Sequence, residues 1–215
     1  VLTRNGIDVI VEAIKESRRI FERMLTYTMV KIARVIQIVG FIAIIYLALG
    51  FLPVLSLQLI LLIFTNDLIN ISIATDNVNF SKRPTEWDVK QITYASSIFG
   101  VLLVLGALSL SYIDIAILHL STAEFQTTIF LMFVVTDKLV LFNIRTRDAL
   151  AWRIRPSSTL TIAALVGITA GIVLSYFGIL MARISALALA AVLLVSLAFF
   201  AITEYAKPAI FKKFG

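Results

Sequence analysis

The chain has 215 residues, of which 60% are hydrophobic, and it carries a formal net charge of +6. Soluble domains are usually about 45–50% apolar, so this composition excludes a single soluble core of this size. Several apolar runs reach the roughly 18–20 residues that cross a bilayer, which predicts a multi-span membrane protein. The absence of cysteine excludes disulfides and thiolate metal sites, and the one histidine, His119, cannot build a metal site alone.

The first predicted element is one long helix. Residues 6–29 carry apolar side chains near helical spacing, and neither Pro nor Gly interrupts the chain from Ile7 to Val39. We therefore predict a single helix from Ile7 to Leu49, about 60 Å long at roughly 1.5 Å per residue. About half of it would stand outside the membrane as a stalk. The alternative is a separate amphipathic helix that lies on the membrane surface.

The chain contains six apolar runs, the first of them within this long helix, and all six are predicted to be helices. Only helices or closed barrels satisfy the backbone in lipid, and the two-residue alternation of barrel strands is absent. The predicted fold is all-α, with six transmembrane helices in three hairpins behind the stalk helix, which is continuous with the first span. Residues 1–29 are assigned to a cytoplasmic stalk segment and residues 30–215 to a membrane domain with a cytoplasmic C-terminal tail. The predicted spans are 30–49, 54–75, 92–112, 125–143, 160–177 and 184–202.

The connections between these spans alternate in charge, and this alternation predicts the orientation. Three connections carry almost no positive charge, with Arg183 as the exception, and the other segments are basic. The positive-inside rule then places both termini in the cytoplasm. The same distribution explains the basic net charge by topology and predicts no nucleic-acid partner. The basic segments contain Arg4, Lys15, Arg18, Arg19, Arg23, Lys31, Lys82, Arg83, Lys90, Arg145, Arg147, Arg153, Arg155, Lys207, Lys212 and Lys213.

Asp67, with Asn66 and Asn70 beside it, is the first candidate for chemistry. Counted from Val54, it lies about 20 Å into the second span. An acid at the bilayer centre costs at least about 2.5–3.5 kcal/mol, and intramembrane acids usually mark ion paths. Hydrocarbon favours the protonated carboxyl, and the two amides can hydrogen-bond either form. The alternative is an acid neutralised by a fixed basic partner for packing alone.

Four further polar residues are candidates for tuning that acid or acting as its counter-ion. Asp137 and Lys138 are adjacent in the fourth span, so they point about 100° apart and are expected not to pair face to face. Each is a partner for another helix, through either a functional or a purely structural bond. Arg34 and Gln37 share one face of the first span. Arg34 either reaches toward Asp67 or snorkels to the interface, and snorkelling is favoured.

Three other features have structural interpretations. Asp76 lies at the predicted cytoplasmic boundary, where a solvated, capping role is expected. Gly167 and Gly171 form a G-x-x-x-G pattern that lets helices pack closely. Pro156 marks the clearest break in the chain, and possible cap residues of the fifth span follow it.

Three segments resemble one family of ion pumps. "VLTRNGIDVIVEAIKESRRIFERMLTYTMVKIA" resembles the stretch of P-type ATPases that leaves the phosphorylation domain and becomes the stalk and fifth membrane helix. "TNDLINISIATDNVNFSKRPTEW" resembles the sixth helix and following loop of the proton-pumping branch, found in plant, fungal and archaeal plasma membranes. "LFNIRTRDALAWRIRPS" is similar to the eighth helix and basic exit loop of that branch. The six spans then correspond to family helices five to ten.

The resemblance implies a function for the chain and a role for its acid. The chain would be the C-terminal membrane part of an ATP-driven proton pump in the plasma membrane. Asp67 falls on the sixth-helix aspartate that the family uses as proton acceptor and donor, and the family unwinds this helix near the acid. Many relatives have an arginine where this chain has Gln37, whereas Arg34 lies one turn earlier.

The resemblance also implies that the chain is incomplete. The family's D-K-T-G-T and T-G-D-G-x-N-D motifs are absent, so this segment would contain no catalytic residue and no nucleotide site. ATP and Mg²⁺ would act in the full-length pump, and the partners would be the N-terminal pump domains, helices one to four, the lipid bilayer and the transported proton. A single acid with apolar neighbours suits a proton better than Ca²⁺, which takes six or more oxygen ligands. A pump for another cation and a standalone six-span scaffold or assembly subunit are the alternatives.

Overall fold

The computed structural model describes residues 7–79, 87–147 and 149–212. Within these ranges the chain forms six α-helices and no strand, and each helix is long and apolar enough to cross a membrane. The predicted all-α fold with six spans is therefore confirmed. The helices are α1 Ile7–Leu49, α2 Ser56–Ser72, α3 Val89–Tyr112, α4 Thr122–Ile144, α5 Ser158–Phe177 and α6 Ala186–Lys212.

The first helix is continuous, with the predicted bounds. It has 43 residues and is about 65 Å long at about 1.5 Å per residue. A separate surface helix, the alternative, is not found, because neither Pro nor Gly interrupts the chain between Ile7 and Val39. Gly50 follows α1 with a φ of +76°, a conformation that glycine adopts without steric cost. We call residues 7–29 of α1 the stalk, and the end of the bundle from which they project the stalk end.

Helices α3 and α6 continue well beyond the ends of their predicted spans, whereas α2 with its closing turn ends at the predicted residue. A 3₁₀ turn, Ile73–Thr75, extends α2, and a π-helical turn, Ile113–Ile117, extends α3. Helix α6 runs to Lys212, so Lys207 is helical and buried and does not lie in a solvated tail. Burial is possible because its ammonium lies 2.8 Å from the Glu204 carboxylate. Four basic residues used in the orientation argument lie outside the described ranges: Arg4, Lys82, Arg83 and Lys213.

Helix α4 lies at the centre of the bundle and is the most buried of the six. It contacts all five other helices, while α1 packs mainly on α3 and α2 mainly on α5. Aromatic side chains fill part of the interior, and the rings of Phe41 and Phe133 meet edge to face at 5.6 Å. Because α4 has no free face, every polar side chain that it carries must find a partner on another helix.

Glycines set the closest helix contacts. A Cβ atom on Gly171 would lie 2.9 Å from Val134 Cγ1, so this glycine brings α5 against α4. Gly167, one turn earlier, faces the same helix. The packing interpretation of the G-x-x-x-G pattern is therefore confirmed. Gly100 has the same function between α3 and α1, since a Cβ there would lie 2.7 Å from Ile36 Cβ and 3.0 Å from the Ala33 carbonyl oxygen.

An ion pair that we call the Asp76–Arg145 clamp ties the helices together at the stalk end. Arg145 Nε lies 2.7 Å from Asp76 Oδ2, and Arg145 Nη2 donates to Asp76 Oδ1 at 3.1 Å. The Asp76 side chain also accepts from the Ser157 amide at 3.0 Å, and its carbonyl accepts from Arg23 Nε at 2.9 Å. Asp76 is 2% exposed, so the solvated role expected for it is wrong. The buried guanidinium at the end of α4 needs an anionic partner, and Asp76 provides it.

The start of α5 agrees with its sequence signal. Ser157 is the N-cap, and its hydroxyl accepts from the Leu160 amide at 3.1 Å. The amide of the same residue donates to Asp76, so the break after Pro156 also anchors α5 to the clamp.

We expect Gly100→Ala to destabilise the bundle. The new methyl would press on the Ala33 carbonyl and the Ile36 side chain, and overpacking of this kind typically costs about 1–3 kcal/mol. Thermal unfolding of the purified protein in detergent measures the effect as a lowered melting temperature. Gly40→Ala is the matched control, because its Cβ would meet only Val104 Cγ2 at 3.5 Å. Equal melting temperatures for the two variants would contradict this account of the α1–α3 contact.

We expect Asp76→Asn to destabilise the protein by about 3–5 kcal/mol, because it leaves the buried Arg145 charge unpaired. The same thermal measurement applies. Asp88→Asn is the control, since Asp88 is the exposed N-cap of α3 and asparagine caps helices equally well. Adding Arg145→Gln should recover part of the loss, and a wild-type melting temperature for Asp76→Asn alone would argue against the clamp.

Candidate functional site

Polar side chains from three helices meet inside the bundle, where α4 passes α1 and α2. All six of these side chains are buried, and no water in the hydrocarbon could solvate them. They therefore satisfy one another across the helix interfaces. The polar cluster consists of Arg34, Gln37, Asn66, Thr136, Asp137 and Lys138.

Arg34 of α1 forms an ion pair with Asp137 of α4. Both Nε and Nη2 of the guanidinium contact Asp137 Oδ1. Arg34 is 9% exposed, so it neither snorkels to the interface nor reaches Asp67, and both expectations for it are wrong. The reason is packing: α1 lies against α4, and the Asp137 carboxylate is the acid that this contact brings within reach.

Gln37 lies one turn further along α1 and also turns to α4. Its Nε2 donates to Thr136 Oγ1 at 3.0 Å, and the Thr136 hydroxyl donates to the Met132 carbonyl at 2.7 Å. Gln37 is therefore part of the α1–α4 interface and makes no contact with Asp67 in the described structure.

Lys138 of α4 is fully buried where α4 meets α2 and α5. Its Nζ donates to Asn66 Oδ1 at 2.5 Å and lies 3.7 Å from Asp137 Oδ2. The expectation that Asp137 and Lys138 do not pair is therefore wrong at this distance, because the long lysine side chain bends back toward its neighbour. Gly167 makes room for it: a Cβ at that position would lie 3.0 Å from Lys138 Cε.

Asp67 points away from this cluster. It is exposed on the surface of the chain, and its side chain has no hydrogen bond or ion pair with any residue that the structure describes. Asn66 occupies the face of α2 that meets α4, and the next residue on a helix points about 100° away. Helix α2 is regular from Ser56 to Ser72, so the unwinding expected near the acid is not found.

The side chains of the three residues predicted to form one site thus point in different directions. Asn66 points inward to Lys138, and Asp67 points outward. Asn70 lies one turn from both and lines a cavity of about 270 Å³ between α2 and the stalk. Its buried Nδ2 has no partner in the part of the chain described. The other lining residues are Ile20, Arg23, Met24, Tyr27, Ile73 and Ala74.

Two buried acids were missed from the sequence. Asp114, in the π-helical turn at the end opposite the stalk, is fully buried and accepts from Thr128 Oγ1 at 2.6 Å. Glu204 of α6 pairs with Lys207 and accepts from the Ala151 amide at 2.7 Å. A signal existed for each: Asp114 stands within the apolar run "YIDIAI", and Glu204 and Lys207 stand at i,i+3 in an apolar helix.

Comparisons with known proteins agree with this architecture. The family model described as the C-terminus of cation-transporting ATPases matches residues 51–209. A putative cation-transporting ATPase of Methanocaldococcus jannaschii is 36% identical over 184 residues, which are 86% of this chain and 23% of that protein. Probable proton ATPase 1B of Leishmania donovani is 27% identical over 78% of this chain and 20% of its own length.

A fungal relative matches a shorter stretch. Plasma membrane ATPase 1 of Schizosaccharomyces pombe is 31% identical over 101 residues, which are 47% of this chain and 11% of that protein. The chain thus spans less than a quarter of the length of these relatives. The family match covers most of the chain and coincides with α2 to α6, and the six apolar helices agree with it. The chain therefore belongs to the cation-transporting P-type ATPases and comprises a C-terminal membrane region of that family.

Proposed function

We propose that this chain is the ion-carrying membrane part of an ATP-driven proton pump, in which Asp67 accepts and releases the transported proton. One observation carries the proposal. Asp67 lies within an apolar span and has no side-chain partner in the described structure, whereas Asp137 pairs with Arg34 and Lys138 bonds to Asn66. A carboxyl without a fixed cation is neutralised most readily by a proton.

The surroundings of Asp67 favour a proton over a metal cation. The Asn66 amide oxygen already accepts from Lys138, and the Asp137 carboxylate is held by Arg34. Few oxygens therefore remain near Asp67 in the described residues, and metal cations such as Ca²⁺ need several. The name of the Leishmania relative, probable proton ATPase 1B, supports the same cargo. The archaeal relative is named only for cation transport, which keeps a pump for another cation as the alternative.

Asn70 is proposed to lie on the path of the proton. Its side chain is one helical turn from Asp67 and lines the cavity beside the stalk. An unpartnered amide at the wall of a cavity can hydrogen-bond water or a hydrated proton that enters there. Asn66 contributes differently, because its oxygen is committed to Lys138.

The rest of the pump would complete the site and supply the energy. We propose that helices one to four cover the exposed face of Asp67, and that ATP and Mg²⁺ act in the N-terminal domains. The described residues contain no group of three His, Asp or Glu side chains that could hold a metal ion, so no step is assigned to Mg²⁺ here. The proposed location is the plasma membrane, with the stalk end and both termini in the cytoplasm. Family membership argues against a standalone scaffold.

The stalk is proposed to transmit movement of the ATP-using domains to the membrane helices. Glu22 of the stalk pairs with Arg147, which follows α4, and Arg23 donates to the Asp76 carbonyl at the end of α2. Displacement of the stalk would therefore pull on the end of the helix that carries Asp67. It would also pull on α4, which carries the polar cluster.

We expect Asp67→Asn to reduce ATP-driven proton transport to background in vesicles containing the gene-encoded protein. The amide neither binds nor releases a proton at physiological pH. The melting temperature should stay unchanged, because the described structure gives Asp67 no partner to lose. Asp88→Asn, an exposed cap, should transport normally.

Undiminished proton transport by Asp67→Asn would contradict the proposal. Transport that persists with the proton gradient collapsed, but requires one particular metal ion, would favour the alternative cargo.

We expect Glu22→Gln to slow ATP-driven transport by roughly 2- to 30-fold, the range that corresponds to about 0.5–2 kcal/mol of coupling. ATP hydrolysis and proton transport measured in the same vesicles give the ratio of protons moved per ATP. Glu12→Gln is the matched control, because Glu12 is 66% exposed and its stalk partners Lys15 and Arg19 are 3.8 and 3.9 Å away. Equal transport by both variants would show that the Glu22–Arg147 pair does not transmit movement of the stalk.

A further inference from the structure

We propose that Asp114 is a neutral carboxylic acid in the folded protein, and that its proton closes the corner between α3 and α4 at the end opposite the stalk. This corner comprises the π-helical turn Ile113–Ile117 and the residues that lead from it to the start of α4 at Thr122. Asp114 is a proton-binding site distinct from Asp67 and does not depend on the role proposed for that residue.

Asp114 stands at a core position of the α3 helix. Buried residues recur on one face of that helix at helical spacing, and Leu103, Ala107 and Leu110 precede Asp114 on it. The π-helical turn continues the helix past Tyr112 and leaves the Asp114 side chain with no exposed surface. An ionised carboxylate at such a position is costly unless a cation or several hydrogen-bond donors surround it.

No cation in the described structure pairs with this carboxyl. The titratable side chains in the half of the bundle opposite the stalk are Tyr46, Tyr112, Asp114, His119, Glu124, Tyr176 and Arg183. Arg183, the permanent cation among them, is exposed, and its guanidinium carbon lies 5.6 Å from the centre of the Tyr176 ring. His119 is exposed, and Glu124 is itself an acid. A negative charge on Asp114 would therefore be buried without a partner.

A count of protons at Thr128 favours the neutral acid. The Thr128 hydroxyl oxygen lies 2.6 Å from Asp114 Oδ2 and 2.7 Å from the Phe125 carbonyl oxygen, and both are hydrogen-bond distances. A hydroxyl has one proton and donates it along one of these contacts. With an ionised Asp114, the other contact would bring two oxygen atoms together with no proton between them. A neutral Asp114 supplies that proton: its O–H donates to Thr128 Oγ1, and the Thr128 hydroxyl donates to the carbonyl.

The second oxygen of the carboxyl supports the same protonation state. Asp114 Oδ1 is buried and has no hydrogen-bond partner in the part of the chain described. A buried oxygen without a donor costs more when it belongs to an ion than when it belongs to a neutral group. Protonation therefore leaves only an uncharged carbonyl oxygen unpaired.

The main chain connects this carboxyl to the shape of the corner. The Leu120 amide donates to the Asp114 carbonyl at 3.0 Å, and the Leu118 amide donates to the Ile113 carbonyl at 2.9 Å. Between them, His119 has a φ of +48°, which is unfavourable for a residue with a side chain. The carbonyl of Asp114 thus holds the turn, while its side chain holds α4.

Ionisation of Asp114 would open this corner. The carboxyl O–H bond breaks, its electron pair stays on the carboxylate, and the proton passes to water at this end of the bundle. The new charge has no cation beside it, so solvation by water is what stabilises it. Closure of the corner therefore depends on the acidity on its own side of the membrane.

Infrared spectroscopy of the full-length protein, purified in detergent, tests the protonation state. At neutral pH the wild type should show the carbonyl band of a protonated carboxylic acid that Asp114→Asn lacks and Asp67→Asn retains. Thr128→Val should move this band to higher frequency, because the acid loses its hydrogen-bond acceptor. Thr128→Ser keeps the hydroxyl and should leave the band in place. Identical neutral-pH spectra for wild type and Asp114→Asn overturn the inference.

Hydrogen exchange at the Leu118 and Leu120 amides tests the closure. Above about pH 4, where an exposed aspartate is ionised, the opening constant of the wild type should rise by up to about tenfold per pH unit while the closed corner keeps its proton. Asp114→Asn, compared at the same pH, should lack this rise. Asp88→Asn, which changes the exposed cap of α3, should follow the wild type. Equal protection in wild type and Asp114→Asn at every pH would refute the closure.

The remaining outcomes also decide the matter. Asparagine is a neutral analogue of the protonated acid and can donate to Thr128 Oγ1, so Asp114→Asn should fold. If it does not fold, a neutral donor cannot replace Asp114, and the inference is wrong. An ionised Asp114 would give the opposite dependence, with protection of the two amides rising with pH relative to Asp114→Asn.

Discussion

The burial of α4 on all sides is the constraint on which the rest of the structure depends. A helix without a free face cannot expose a charge to water, yet this one carries an acid and a base in its middle and an arginine just past its end. Each must be satisfied by a neighbouring helix. Arg34 forms an ion pair with Asp137, and Asp76 forms one with Arg145. The Asn66 amide oxygen accepts a hydrogen bond from Lys138. These contacts determine which faces of α1 and α2 turn inward, and so the outward direction of Asp67.

The charged contacts divide the bundle into regions with different tasks. At the stalk end, the Asp76–Arg145 clamp and the Glu204–Lys207 pair are balanced and join the ends of helices. In the middle, the polar cluster has more positive than negative charge and adjoins the candidate ion-carrying acid. Balanced pairs resist displacement, because separating them strands a buried charge.

The architecture of the chain could be predicted from the sequence more fully than the partners of its side chains. The bounds of α1, the six spans, the cap at Ser157 and the packing glycines follow from local signals such as apolar periodicity, breaks and small residues. The partner of Arg34 does not, because helical spacing gives the face of a side chain but not the helix opposite. Asp76 looked solvated for a similar reason. Its burial depends on Arg145, which is distant in sequence and is brought near only by the packed bundle.

Because of the contact between Gly167 and Lys138, the residue types at these two positions on different helices depend on each other. The space above Gly167 is the space that the lysine methylenes occupy, so a side chain can grow at one position only if it shrinks at the other. An alanine at position 167 would suit a shorter residue at position 138, and that pair would remove the charge along with the bulk. The composition of the polar cluster therefore depends on a residue of α5 whose own side chain has no polar atom.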